Sequence, residues 1–105
     1  MARIWTELKD EDLKEVTGGT YLDSVGNELE VYDYVSIDYS YFAEYLSYIS
    51  CIAWCTQVRG FDNNGNAYIR IRYTKQFGTN GSYHDMGYYP LNIMTKSEEP
   101  YWVNH

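Results

Sequence analysis

Two periodicities divide the chain at a pair of glycines. Ahead of Gly18 and Gly19, the apolar residues Trp5, Leu8, Leu13 and Val16 are spaced by three, five and three, so they fall near one face of a 3.6-residue period. Charged residues fill most of the other face. Thr6 is placed as an N-cap, Glu7, Asp10, Glu11 and Asp12 complement a positive helix start, and Gly18 suits a left-handed C-terminal position. A helix over 6–17 is predicted. After Gly19 the period becomes two. Leu29, Val31, Val35 and Ile37 alternate with Glu30, Tyr32, Tyr34 and Ser36, as in a half-buried strand, with Asp33 marking a bulge or an edge. Over 39–50 the period lengthens again: Tyr41, Tyr45 and Tyr48, and Phe42, Leu46 and Ile49, are spaced for a short helix or helical turn, against tyrosine's own preference for strands.

The clearest strand signal follows. Ile52, Trp54, Thr56 and Val58 alternate up to the cluster Asp62-Asn63-Asn64-Gly65-Asn66, and Ile69, Ile71 and Tyr73 alternate after it, which predicts a β-hairpin. A two-residue type I′ turn at Asn64-Gly65 pairs Phe61 with Tyr68, Arg59 with Arg70 and Val58 with Ile71. That register gathers Ile52, Trp54, Val58, Ile69, Ile71 and Tyr73 on a core face. It puts Arg59, Phe61, Tyr68, Arg70 and Arg72 on the opposite face. Like charges directly opposite destabilise a ladder, so Arg59 against Arg70 requires an anion between them or a longer, bulged loop. A second turn at 78–81 leads to a strand over 83–89, then Pro90 and a short last strand over 91–94. The expected fold is mainly β with an N-terminal helix: a small antiparallel sheet or barrel of about five strands.

Composition narrows the function classes. At 105 residues there is room for one domain with one modest core. Thirteen tyrosines mean that much of the apolar surface carries a polar tip, which suits a thin core or a half-wet binding face. The net charge of -7 is carried by residues 1–38, which hold ten acids and three bases, whereas residues 39–105 hold five of each. An acidic first third argues against phosphate-backbone binding and suits a basic protein partner or mimicry of a nucleic acid. No apolar run reaches the roughly 20 residues of a membrane span, or the roughly 7 to 15 of a signal-peptide core.

No catalytic set emerges. Cys51 and Cys55 on an extended strand lie roughly 13 Å apart, beyond the Cα separation of about 4.4 to 6.8 Å that a disulfide needs. They read as free thiols packed as small hydrophobes, and His84 and His105 do not complete a zinc spacing. His84 and Asp85 are adjacent on a strand and therefore point to opposite faces. The sequence GTNGSYHD lacks the features of a phosphate loop. The chain reads as a non-enzyme with no metal or cofactor. Cations interleaved with rings, as in Arg59, Phe61, Tyr68, Arg70 and Arg72, form a candidate binding face.

The segment TELKDEDLKEVTGG resembles the double-glycine leader of bacteriocin-type secreted peptides. Such leaders carry hydrophobic residues four, seven, twelve and fifteen positions before the cut. Counted back from Gly19, these are Val16, Leu13, Leu8 and Trp5, and an acidic-Leu pair stands at Asp12-Leu13. The resemblance implies that a peptidase-containing ABC exporter reads those four side chains, cleaves between Gly19 and Thr20, and releases residues 20–105 as a secreted, bacteriocin-like binding protein. Cargo of that length departs from the family's usual short peptides. In the other reading residues 1–19 stay attached, the same stripe packs on the sheet, and the chain is a cytoplasmic interaction module or an acidic inhibitor of the anti-defence type. The segment GYYPLNIM resembles the closing strand of SH3-like and Tudor-like barrels, a likeness of fold rather than of function.

Overall fold

The computed structural model describes residues 21–75 and 82–104. The helix expected over 6–17, the stripe Trp5, Leu8, Leu13 and Val16, the glycines Gly18 and Gly19, and the turn at 78–81 lie outside the described residues. Five antiparallel strands, β1 (Tyr34–Ile37), β2 (Ala53–Phe61), β3 (Asn66–Thr74), β4 (Ser82–Pro90) and β5 (Met94–Ser97), form one sheet in the order β4-β3-β2-β1-β5. The mainly β expectation with about five strands therefore agrees with the structure. Helical structure also falls where the spacing over 39–50 placed it, as a 3-10 turn (Tyr39–Tyr41) and a helix α1 (Ala43–Ile49) between β1 and β2.

At seven residues α1 is too short to be stable alone, so tertiary contacts must hold it. Asp38 starts the segment by accepting the Ser40 amide at 2.9 Å. Ser50, in a left-handed conformation, ends it with its amide on the Leu46 carbonyl. Phe42, Leu46 and Ile49 face the sheet and are buried. The Phe42 ring meets Trp54 and Tyr89 edge-on, with centroids at 6.1 and 5.3 Å. These side chains close the core over Val35, Ile37, Val58, Ala67, Ile69, Ile71 and Met94 from β1, β2, β3 and β5.

The β2–β3 hairpin forms, but its turn differs from the two-residue form. Asp62 accepts the amides of Asn64 and Asn66 at 2.9 and 3.0 Å and the Asn66 side-chain amide at 2.9 Å, while Gly65 takes φ 82°. Asp23 repeats the arrangement, accepting the amides of Val25 and Asn27 and the Asn27 side chain, with Gly26 at φ 90°. Both segments read Asp-x-x-Gly-Asn. The aspartate ties the loop and the glycine takes the positive φ that other residues resist. The wider loop moves the register to Trp54↔Tyr73, Thr56↔Ile71 and Val58↔Ile69, and a bulge follows before Gly60↔Tyr68 and Phe61↔Ala67. Arg59 is the residue left over at that bulge. The expected Arg59–Arg70 pair does not form, since Gln57 lies opposite Arg70.

Three further expectations need correction. The strand expected from Leu29 begins only at Tyr34, because Tyr32 adopts φ 81° and the Asp33 amide turns back to the Glu30 carbonyl at 3.1 Å. Leu29 is buried but Val31 is exposed, so the alternation spans a turn. Ile52, expected in the core, is 66% exposed just ahead of β2. The last strand begins at Met94, and Leu91–Ile93 form a 3-10 turn.

That turn also dictates the shape of the sheet. β4 and β5 are its two edges, which in a flat sheet would stand about 19 Å apart at about 4.8 Å per strand. The four Cα steps from Pro90 to Met94 reach at most about 14 Å. The sheet therefore curls, bringing its edges together at this end. Both edges are shielded from strand addition. Asp23 accepts the β5 amide of Lys96 at 2.7 Å, and β4 is bulged between Asp85 and Gly87 and ends in Pro90.

Candidate binding face

Curling divides the sheet side chains between a core face under α1 and an outer face. The outer face carries three of the expected site arginines and Tyr68. Ladder positions place Arg72 between Cys55 and Tyr83, Arg70 between Gln57 and Asp85, and Tyr68 between Gly60 and Tyr88. Phe61 does not join them. The bulge at Arg59 shifts Phe61 to the same side as Ala67, where its ring stacks on Tyr21 at 4.0 Å and packs against the core. One residue inserted in a strand reverses the facing of everything beyond it, and Phe61 is where this happens.

Each arginine has a different set of partners. Arg70 donates through Nε to Asp85 at 2.7 Å, and its guanidinium lies 3.9 Å from the centre of the Tyr83 ring. The hydrogen bond raises the Arg70 pKa and lowers that of Asp85, so this pair stays ionised. Arg59 lies over the Tyr32 ring at 4.8 Å. Arg72 stands beside Cys55 and near Glu99, which accepts from the Tyr34 hydroxyl at 3.2 Å. The Nε atoms of Arg59 and Arg72 are buried without a hydrogen-bond partner among the described residues. An unsatisfied buried donor costs about 1–3 kcal/mol.

Tyr32 adds a second irregularity. Its φ of 81° is rare for a bulky residue and costs on the order of 1–3 kcal/mol. Its amide on the Val58 carbonyl at 2.8 Å, and its carbonyl accepting the Gln57 side chain at 3.2 Å, hold it there. The ring is nonetheless exposed, as are Tyr83 and Tyr88. Tyr32, Tyr83, Asp85 and Tyr88 were not among the residues expected from sequence. For the β4 residues the signal was available, since a strand over 83–89 laid beside β3 puts alternate residues with the arginines.

The chain beyond β5 crosses this outer face. Tyr34 and Val103 are buried but do not belong to the main core, and the Tyr34–Glu99 bond ties the crossing segment down. Burial, followed by the Glu99 charge, raises the Tyr34 pKa. Cys55, beneath the same segment, is pushed up to about 12 by burial, so it is a neutral thiol near pH 7. Both cysteines are free. His84 and Asp85 diverge as expected: the imidazole stacks on Tyr45 at 4.5 Å while the carboxylate meets Arg70 on the outer side. Among the described residues no group of three or more His, Cys, Asp or Glu side chains gathers as metal ligands. No helix among them is long and apolar enough to cross a membrane.

Comparison with family models, with curated proteins and with solved structures finds no match to this chain.

Proposed function

We propose that this chain is a small non-enzymatic binding protein, secreted from a double-glycine precursor, whose residues 20–105 act through the arginine–tyrosine outer face. The observation that carries the binding reading is the stacking of Arg59 and Arg70 on the exposed rings of Tyr32 and Tyr83 along one face. A carboxylate or similar anion on a partner matches the guanidinium groups of this face, and charge-assisted bonds of this kind are the stronger ones. Strain at Tyr32 beneath Arg59 points to the same place, since strained residues persist where they serve recognition. The exposed rings of Tyr83 and Tyr88 extend the surface at low entropic cost.

The leader reading is supported by the four matched offsets at Trp5, Leu8, Leu13 and Val16 and by Gly18-Gly19. It is also supported by the content of the described residues downstream of Gly19, where five strands, a helix and an apolar core make the parts of a domain. A peptidase-containing ABC exporter then cuts between Gly19 and Thr20. Intact-mass analysis of producing cells and their medium tests this. A species beginning at Thr20 in the medium is expected, and full-length protein confined to the cells refutes it. The strand order, with a 3-10 turn joining β4 to β5, supports an SH3-like barrel. That order favours a second reading, an uncleaved cytoplasmic interaction module or acidic inhibitor using the same face.

A further inference from the structure

The β1–β2 ladder stops early. Tyr34 pairs with Gln57 and Val35 with Thr56, and the pairing goes no further although both strands continue. Antiparallel ladders bond mutually at every second residue. The Val58 amide donates to the Asp33 carbonyl at 2.8 Å, so the next bonding positions in step are Val35 with Thr56 and then Ile37 with Trp54. The strands part before reaching that last pair. A cavity of about 430 Å³ opens at this point, with Ile37 and Ser36 on one wall, Trp54 and Cys55 on the other, and Glu98 and Pro100 from the segment after β5 closing it. The Thr56 hydroxyl, on the Val35 carbonyl, fixes the floor where the strands separate.

We propose that this cleft, which adjoins the arginine face at Arg72, is a second binding site and that it takes an extended, basic segment of a partner protein. Two facing backbone edges with bonding positions left over among the described residues are the feature that recognises a peptide main chain, as in strand addition. The cavity beside them has room for a side chain of that segment, with the Trp54 ring and Pro100 as apolar walls. Charge selects which side chain. Glu98 lines the opening, and exposed Asp38 follows directly on Ile37 at the other end of β1. Arg72, the base opposite Cys55 on the ladder, has Glu99 nearby. Residues 20–105 hold ten acids and five bases, a net charge of -5. A lysine or arginine stem lies against Trp54 while its charged end reaches Glu98, which satisfies both parts of such a side chain.

The full-length protein, labelled with nitrogen-15, is titrated with a hexapeptide of alternating valine and lysine and with its valine–glutamate counterpart. The lysine peptide is expected to shift the amide signals of Ile37 and Trp54 saturably, and the glutamate peptide to leave them in place. Glu98→Gln should weaken the lysine peptide about threefold, the scale of one exposed ion pair. Glu44→Gln, an equal charge change on α1, should not weaken it. Equal response to both peptides, no saturable shift at Ile37 and Trp54, or equal weakening by the two variants overturns the proposal.

Discussion

Truncating Ile69 to alanine should be among the most damaging single changes in this domain, while the same truncation at Ile52 should be nearly silent. Sequence periodicity groups the two in one apolar stripe, but Ile69 has 0% exposure at the middle of β3 whereas Ile52 is 66% exposed. Ile69→Ala removes three buried carbons, about 2.4 kcal/mol at about 0.8 kcal/mol each. A cavity penalty adds to this, for a total of about 3–5 kcal/mol. Collapse of the site is hindered on one side because its β4 partner is Gly87, which has no side chain to move into the gap. On its β2 side Val58 is itself fully enclosed. Domains of this size are stable by about 5–15 kcal/mol in total. With a urea dependence of about 1.5 kcal/mol per molar, the midpoint for Ile69→Ala should fall by about 2 M or more. Ile52→Ala should stay within about 0.5 kcal/mol of the parent. Equilibrium urea unfolding followed by circular dichroism reads both. Comparable losses for the two variants would refute the assignment of the core face.

Phe61→Ala should lower stability by about 2 kcal/mol, because its half-buried ring stacks on Tyr21 and packs on the core, and urea midpoints check this; an unchanged midpoint returns Phe61 to the binding face. Stability should fall as the pH drops from about 4 to about 2. Burial pushes the Asp23 carboxyl up, but hydrogen bonds from Lys96, Asn27 and Val25 outweigh it and bring its pKa from 3.8 to about 2, while Asp38, Asp62 and Asp85 are lowered too. Depressed carboxylates stabilise the fold above the unfolded pKa and lose that contribution as they protonate; a urea midpoint that is flat over this range contradicts the sign. Cys55, pushed up to about 12 by burial, should alkylate with iodoacetamide at pH 8 far more slowly in the folded protein than in urea, as followed by mass spectrometry on Cys51→Ser. Equal rates would mean that the segment after β5 does not cover it.

Much of the sheet is legible in the chain because alternation reports burial directly, and β2 and β3 alternate over long runs. The hairpin register is harder to read. It depends on the Asp62 carboxylate reaching three donors rather than on the Asn64-Gly65 pair alone, and the motif's recurrence at Asp23 is the local clue. The bulge at Arg59 has only Gly60 as a sign, and it alone decides that Phe61 turns inward while the arginines remain outside. The turn at Tyr32 was hidden because Leu29 and Val31 continue the alternation of Val35 and Ile37 across a chain reversal. Cover from Val103 and Glu99 is long-range, and no period within residues 95–105 announces it. For the candidate site, Arg59, Tyr68, Arg70 and Arg72 followed from one strand pairing. Tyr83, Asp85 and Tyr88 required the second pairing, β3 with β4, and its bulge at Met86.

The most direct test of a releasable domain is to compare urea unfolding of residues 20–105 with that of the full chain. If residues 1–19 are a leader, the shortened protein folds cooperatively and its unfolding free energy lies within about 0.5 kcal/mol of the full chain, the range for changes that touch no packed surface. A loss of several kcal/mol, or a shortened protein that fails to fold, would contradict the account. It would mean that Trp5, Leu8, Leu13 and Val16 belong to the core of an uncleaved domain.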